Sequence, residues 1–245
     1  MASTLRSRQP VYWIYYIATA MLGIAVISRS CFQVFSESMD YRWMILTALV
    51  LIVGSFTLKI PGTQSKISVA DTFVLITMIC FGPAAGCLTA MLEALAGSMR
   101  NATTARRWEF ALYNASNVAI CAYLSAQLYF LVLGRGPLLK DPGISLVGSF
   151  PAAVILALAY YLSNSGTVAT MVALERKMNV YRIWRNHFVW HSVNYFACTF
   201  GAVLIAFNGS LMTPATMVAA GLVVTTIYAG YTNVLGKLAA NPREQ

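Results

Sequence analysis

Charged side chains are scarce in this chain. Asp, Glu, Lys and Arg make up 10% of its 245 residues, whereas hydrophobic residues make up 58%. A soluble domain carries about 25% charged residues, so this composition excludes a water-soluble fold. The sequence predicts an all-α integral membrane protein, a polytopic helical bundle in which residues 1–245 form a single transmembrane domain.

Residues of catalytic and metal-binding motifs are scarce as well. The chain has two histidines and five cysteines, and no two cysteines have the Cys-x-x-Cys spacing, so neither a disulfide framework nor a zinc site is predicted. It has no Gly-x-Ser-x-Gly elbow and no His-Glu-x-x-His motif. We therefore expect no enzyme activity, no catalytic residue, no metal site and no cofactor.

Apolar runs dominate what remains. There are eight of them: Val11–Ser28, Trp43–Leu58, Ile67–Phe81, Pro83–Met99, Phe110–Gly134, Phe150–Leu174, His187–Phe207 and Ala215–Gly236. The first run carries Trp13, Tyr15 and Tyr16 and is longer than a signal-peptide core of about 7–15 residues. We interpret it as a first span with an aromatic belt at its cytoplasmic end.

The basic residues sort to one side of these runs. If the runs cross the membrane alternately, only Arg29, Arg42, Arg135 and Lys140 of the 17 Lys and Arg residues fall on the side away from the termini. This positive-inside bias predicts a multi-pass protein with both termini in the cytoplasm. Short basic loops of this kind contact anionic headgroups, so the net charge of +9 predicts the lipid bilayer, and not nucleic acid, as the partner.

The third and fourth runs allow two topologies. Ile67–Phe81 has 15 residues, which at ~1.5 Å per residue reach about 22 Å into a core of about 30 Å. It meets Pro83–Met99 at Gly82, so the pair forms either two short crossing helices or a re-entrant hairpin. We expect eight hydrophobic segments, with six full spans plus a re-entrant pair as the alternative. In either case protein should shield the turn.

Polar residues inside the apolar runs carry the functional signal, because such groups in hydrocarbon cost free energy unless they find partners. Two of them are carboxyl residues: Asp71 lies near the cytoplasmic edge and Glu93 lies nearer the membrane centre. The seventh run also has a polar face, with His187, His191 and Asn194 at i, i+4 and i+7. The candidate ligand-binding residues are Asp71, Glu93, Asn114, Asn117, Asn164, His191 and Asn194.

One stretch resembles a known family. It reads Ile-Ser-Val-Ala-Asp71-Thr-Phe, then Phe81-Gly-Pro-Ala-Ala-Gly86, then Glu93 and Arg100. This pattern resembles the multi-helix membrane sensor regions that precede HD-type phosphodiesterase or GGDEF domains in bacteria, and the segments 173–185 and 226–235 resemble their late loop and exit helix. The resemblance implies a sensory module of the bacterial inner membrane that binds a small molecule within the bundle. It would signal through its last helix to a cytoplasmic output protein.

The same pattern of Asp71 and Gly82-Pro83 also resembles the substrate-binding S-components of energy-coupling-factor transporters. That resemblance implies a small vitamin-like ligand and energising transporter subunits as partners. Neither family's ligand residues can be matched position by position to this chain, so none are carried over. Sensing and transport both remain open at this point.

Overall fold

The computed structural model describes residues 10–37, 40–55, 57–59, 66–68, 70–101, 107–189, 191–208 and 213–219. This part of the chain is helical apart from one short antiparallel β pair, which confirms the all-α prediction. The elements are α1 Pro10–Ser36, α2 Arg42–Val53, β1 Thr57–Lys59, β2 Lys66–Ser68, α3 Ala70–Phe81, α4 Pro83–Asn101, α5 Arg107–Leu133, α6 Leu146–Arg176, α7 Val180–His187 and α8 His191–Ala206.

Among the described residues, three helices are long and apolar enough to cross a membrane: α1, the segment Trp108–Leu133 of α5, and α6. The helices α7 and α8, which are bent by 60° relative to each other, would together make a fourth span. The apolar helices α2 and α3 have only 12 residues each, too few to cross a core of about 30 Å. The eighth run, Ala215–Gly236, lies almost wholly outside the described residues, so the predicted orientation of the termini stays a prediction.

Local signals set the ends of the longest helix, α6. The side chain of Ser145 caps its start by accepting a hydrogen bond from the N–H of Gly148, at 3.1 Å. At its end, Lys177 adopts the left-handed conformation with φ 56° and donates its N–H to the carbonyl of Ala173, as is common at helix ends. The polar residues of the sixth run therefore lie on one uninterrupted helix.

The predicted runs Trp43–Leu58 and Ile67–Phe81 are not helical throughout. The end of the first run and the start of the second lie in β-strands. The run Trp43–Leu58 leaves the helix after Val53, and its last residues, Thr57 and Leu58, belong to β1. The next run begins in β2, because Leu58 pairs with Ile67 in the antiparallel ladder. Hydropathy misplaced these boundaries because Leu58 and Ile67, the one apolar residue of each strand, extend the neighbouring apolar runs, and hydropathy does not record backbone pairing.

The seventh run is also divided. A bend separates α7 from α8, so His187 and His191 lie on two different helices. The predicted polar face through His187, His191 and Asn194 is therefore wrong, because the period of 3.6 residues was counted across a break. Asn194 keeps an inward role within α8, as its contacts below show.

The turn between α3 and α4 doubles the chain back on itself. Gly82 has φ +97°, a left-handed conformation that only glycine adopts freely. A Cβ added at Gly86 would lie 2.3 Å from Cγ of Met78, so α3 and α4 are in close contact beside the turn. This close approach explains the small residues at the start of the fourth run.

The loop before α6 covers this turn. The N–H groups of Leu138 and Leu139 donate to the carbonyls of Ile79 and Cys80, at 3.1 and 3.3 Å. The last carbonyls of α3 would otherwise lack a partner. The loop therefore packs over the turn and supplies hydrogen-bond donors to the end of α3.

The aromatic start of α1 is an interhelical contact more than a membrane belt. Tyr12 is 1% exposed, and its hydroxyl donates to Oε1 of Glu109 at 2.8 Å. The hydroxyl of Tyr16 donates to the carbonyl of Glu109, and that of Tyr15 to the carbonyl of Thr167, both at 3.2 Å. Trp13 is exposed, and the aromatic belt at the membrane surface stays a prediction.

Candidate functional site

Polar side chains from five helices meet inside the bundle. We call this group the carboxyl–amide cluster, and its members are Asp71 of α3, Glu93 of α4, Asn117 of α5, Asn164 of α6, and Asn194 and Tyr195 of α8. The cluster lies in the half of the bundle that contains the β1–β2 pair, because Asp71 follows β2 closely. Five of its members are residues that the sequence predicted as ligand-binding candidates.

Asn164 links three of these helices. Its Oδ1 accepts a hydrogen bond from Nδ2 of Asn117 at 2.8 Å, and its own Nδ2 donates to the hydroxyl of Tyr195 at 2.7 Å. Asn117 is 1% exposed, so its amide depends on this partner. The thiol of Cys121 also donates to Oδ1 of Asn117, at 3.8 Å. Both polar atoms of the Asn164 amide are therefore hydrogen-bonded, and these bonds connect α5, α6 and α8.

Asp71 joins the cluster through α8. Nδ2 of Asn194 donates to Oδ2 of Asp71 at 3.3 Å. The carboxyl is also close enough to Glu93 and to Tyr195 for electrostatic interaction. Asp71 is half-buried, so it combines partial access with a low-dielectric surrounding.

Glu93 lies beside the end of α2. Its Oε1 would be 3.2 Å from a Cβ added at Gly54. The guanidinium of Arg100 donates to the carbonyl of Gly54 at 2.9 Å and interacts electrostatically with Glu93. Within the described part of the chain, neither Asp71 nor Glu93 forms a salt bridge. Two carboxyl groups therefore share this region, and no cation among the described residues pairs directly with either of them.

Two predicted residues are placed apart from these hydrogen bonds. Nδ2 of Asn114 donates to Oγ of Ser98 at 3.0 Å, which ties α5 to α4. The ring of His191 packs against Phe188, with ring centroids 5.8 Å apart. Asn114 thus has the helix-packing role that is common for amides in membrane proteins.

Sequence reasoning missed Tyr195, although it follows a candidate directly. Its ring packs against Tyr160 with centroids 5.3 Å apart and against Tyr161 at 5.8 Å. Tyr161 in turn contacts Trp184 of α7, whose Nε1 donates to Oγ of Ser165 at 2.8 Å. A tyrosine within an apolar run was the available signal, because a buried hydroxyl usually has a hydrogen-bond partner.

The chemistry of the cluster is that of recognition. Carboxyl groups accept hydrogen bonds, and the amides both donate and accept them, so the cluster suits a small polar ligand. Among the described residues, no group of three or more His, Cys, Asp or Glu residues could hold a metal ion.

A cavity lies at the other end of α3, and sequence reasoning missed it. This cavity, which we call the turn cavity, has a volume of about 210 Å³ and is lined by the α3–α4 turn, the ends of α1 and α5, and the loop 136–140. Its polar lining residues are Gln33, Glu37, Gln127 and Lys140. No periodic pattern could predict it, because the lining comes from segments that are far apart in the sequence.

Glu37 should make stability depend on pH at the turn cavity. The ammonium of Lys140 donates to its Oε2 at 2.7 Å, and Nε2 of Gln33 donates to its Oε1 at 2.9 Å. These donors hold the pKa of Glu37 below its usual range. A lowered folded-state pKa stabilises the fold above the unfolded-state pKa, and this contribution is lost as pH falls through the folded value.

We therefore expect thermal stability to fall on acidification below about pH 4.5, and Glu37→Gln to remove a small part of that fall. The difference should be a few tenths of a kcal/mol, because the pair is partly exposed and screened by salt. The measurement is the unfolding midpoint of both proteins from pH 7 to 3. Parallel pH profiles would contradict the expectation.

In the part of the chain that the structure describes, fold and site together define a predominantly helical protein with three helices long and apolar enough to span a membrane and a polar cluster between its helices. A scan against protein-family models and searches of curated proteins and of solved structures find no match to this chain.

Proposed function

We propose that this chain is a non-enzymatic sensory module of a bacterial inner membrane that recognises a small molecule within its helical bundle. The proposal rests on the carboxyl–amide cluster. In it Asp71, Glu93 and three asparagines, each from a different one of five helices, lie close together. Ionisable residues inside a membrane protein generally mark sites of function. In the proposed topology both termini are cytoplasmic, and the chain makes an even number of crossings.

The charge of the cluster suggests the class of ligand. Among the described residues, Asp71 has one hydrogen-bond donor, Asn194, and a second carboxyl lies nearby. A ligand that carries an amine or several N–H and O–H donors would supply what these carboxyl groups lack. The amides of Asn117 and Asn164 are hydrogen-bonded to each other, and that of Asn194 donates to Asp71. These bonds would hold the helices and the carboxyl group in position for the ligand.

Signalling would follow from the helices that the cluster joins. Asn164 and Tyr195 connect α6 to α8, and α8 leads toward the last apolar run. A ligand that binds one arrangement of these helices better than another shifts the equilibrium by its differential affinity. The last run, Ala215–Gly236, would pass this shift to a cytoplasmic output protein.

Ligand binding can be tested with native mass spectrometry of the detergent-purified protein. We expect a retained small molecule in the wild type, and its loss in Asp71→Asn and Glu93→Gln. A hydrogen bond to a charged group contributes about 1.5–3 kcal/mol, so each substitution should lower affinity about tenfold or more. Asp141→Asn is the matched control, because Asp141 pairs with Arg135 away from the cluster. Retention of the molecule by both cluster variants would refute the site.

Signalling needs its own test. A soluble diguanylate cyclase fused after Lys237 should show activity that changes when the retained molecule is added back. Constant activity with bound ligand would separate binding from signalling and count against the sensory function.

A transport function is the second candidate, and the break at Gly82 favours it. Re-entrant segments and broken helices of transporters occur where protein or a cavity surrounds the break, and the 12-residue α3 and the 19-residue α4 form a hairpin at Gly82. The chain would then act as an S-component-like substrate-binding subunit. This function predicts co-purification with an energising membrane subunit and ATPases from the native host, and recovery of the chain alone would exclude it.

A further inference from the structure

The turn cavity has a preformed frame. The hydrogen bonds from Leu138 and Leu139 fasten its loop to the end of α3. Cγ of Pro137 would lie 3.1 Å from a Cβ added at Gly82, so the loop packs closely against the turn. A pocket with such fixed walls loses little entropy when a ligand enters.

The lining combines two opposite charges with an apolar wall. Glu37 and Lys140 form an ion pair across the polar side, and both remain partly exposed to solvent. Phe81 and Phe130 are among the apolar lining residues. The start of α4 at Pro83 also lines the cavity, and the N-terminal end of a helix carries a partial positive charge.

These charges select among ligands. An anion bound at Lys140 would be repelled by Glu37, and a cation bound at Glu37 would be repelled by Lys140. A zwitterion can place its carboxylate at Lys140 and the start of α4, and its ammonium at Glu37. It replaces one ion pair by two and leaves the net charge of the cavity unchanged.

The volume limits the size of the ligand. Pockets for drug-sized molecules have about 300–1,000 Å³, and the turn cavity, at about 210 Å³, is smaller. We propose that the turn cavity binds a free amino acid or a similarly small zwitterion, with its side chain against the apolar wall. The cavity lies at the end of α3 opposite to β2, so in the proposed topology it opens away from the cytoplasm and is separate from the carboxyl–amide cluster.

The test uses the full chain in detergent and isothermal titration calorimetry. The probes are the standard amino acids, with leucine compared with leucinamide, which lacks the carboxylate, and N-acetyl-leucine, which lacks the ammonium. We expect at least one amino acid to bind with a Kd below about 1 mM, and both blocked forms of that amino acid to bind about tenfold more weakly or worse. Absence of binding by every amino acid, or equal binding of a blocked form, would overturn the proposal.

Selectivity separates a ligand contact from a structural effect of mutation. Lys140→Met should remove the preference for the free amino acid over its amide. Glu37→Gln should remove the preference over the N-acetyl form. Arg135→Gln, which changes a residue outside the lining, should keep both preferences. Unchanged selectivity in the first two variants would overturn the assignment of these residues. Lost binding in Asp71→Asn would place the ligand in the carboxyl–amide cluster and overturn the separate site.

Discussion

Replacing Gly23 by alanine is expected to destabilise the protein by about 1–3 kcal/mol, the usual cost of overpacking. The new Cβ would lie 2.3 Å from Cβ of Ser116 and 2.6 Å from its Cα. Because one of these atoms belongs to the backbone of α5, a change of side-chain rotamer cannot relieve the clash. The helix α1 must move away from α5, and the hydrogen bonds from Tyr12 and Tyr16 to Glu109 would be strained as a result.

The measurement is the thermal unfolding midpoint of the purified protein in detergent. Gly166→Ala is the matched control, because a Cβ added at Gly166 has no described atom within 4 Å apart from its own helix backbone. Alanine favours helix over glycine by about 1 kcal/mol, so this control should be neutral or slightly stabilising. If both variants behave alike, α1 and α5 do not approach each other as closely as the structure places them.

Replacing Asn164 by leucine is expected to cost about 1–3 kcal/mol of stability. The substitution removes both hydrogen bonds of the amide and leaves Nδ2 of Asn117 buried without that partner. Interhelical hydrogen bonds in membranes contribute about 0.6 kcal/mol on average. We expect a larger effect here because two bonds are lost and one orphaned group is 1% exposed.

A double-mutant cycle with Asn117→Leu isolates this contact. Once both amides are replaced, no orphaned donor remains between these two positions, so the double variant should cost less than the sum of the single variants. The readout is again the unfolding midpoint. Additive effects would show that the two side chains do not interact. We also expect weaker ligand retention in Asn164→Leu, since the cluster would lose the residue that joins α5, α6 and α8.

Part of the cluster could be predicted because the cost of an unpaired polar group in an apolar surrounding is a local property. Asp71, Glu93, Asn117, Asn164 and Asn194 could therefore be chosen without knowing the fold. The sequence could not predict which of these residues hydrogen-bond to each other. That pairing depends on which helices are neighbours, and Asn117 and Asn164 are 47 residues apart in the chain.

The errors in the run boundaries and in the predicted polar face arose where the sequence pattern continued although the helix had ended. The seventh run begins at His187, the last residue of α7, so hydropathy alone could not reveal that α8 starts only at His191 and diverges from α7 by 60°. The runs at 43–58 and 67–81 include strand residues because a single apolar residue in each strand extends the run, and hydropathy does not distinguish a strand residue from a helix residue over so few positions. The pairing of Leu58 with Ile67 depends on the meeting of two segments.

The sequence by itself determined that this protein is helical and apolar enough for a membrane, because each residue carries its own transfer free energy and helix tendency wherever it lies. Only the tertiary structure decided that Gly23 meets Ser116, that Asn164 joins three helices, and that Glu37 and Lys140 line a cavity over the turn at Gly82. These features depend on distances between segments that are remote in the chain. Packing sets such distances, and no single run of residues encodes them.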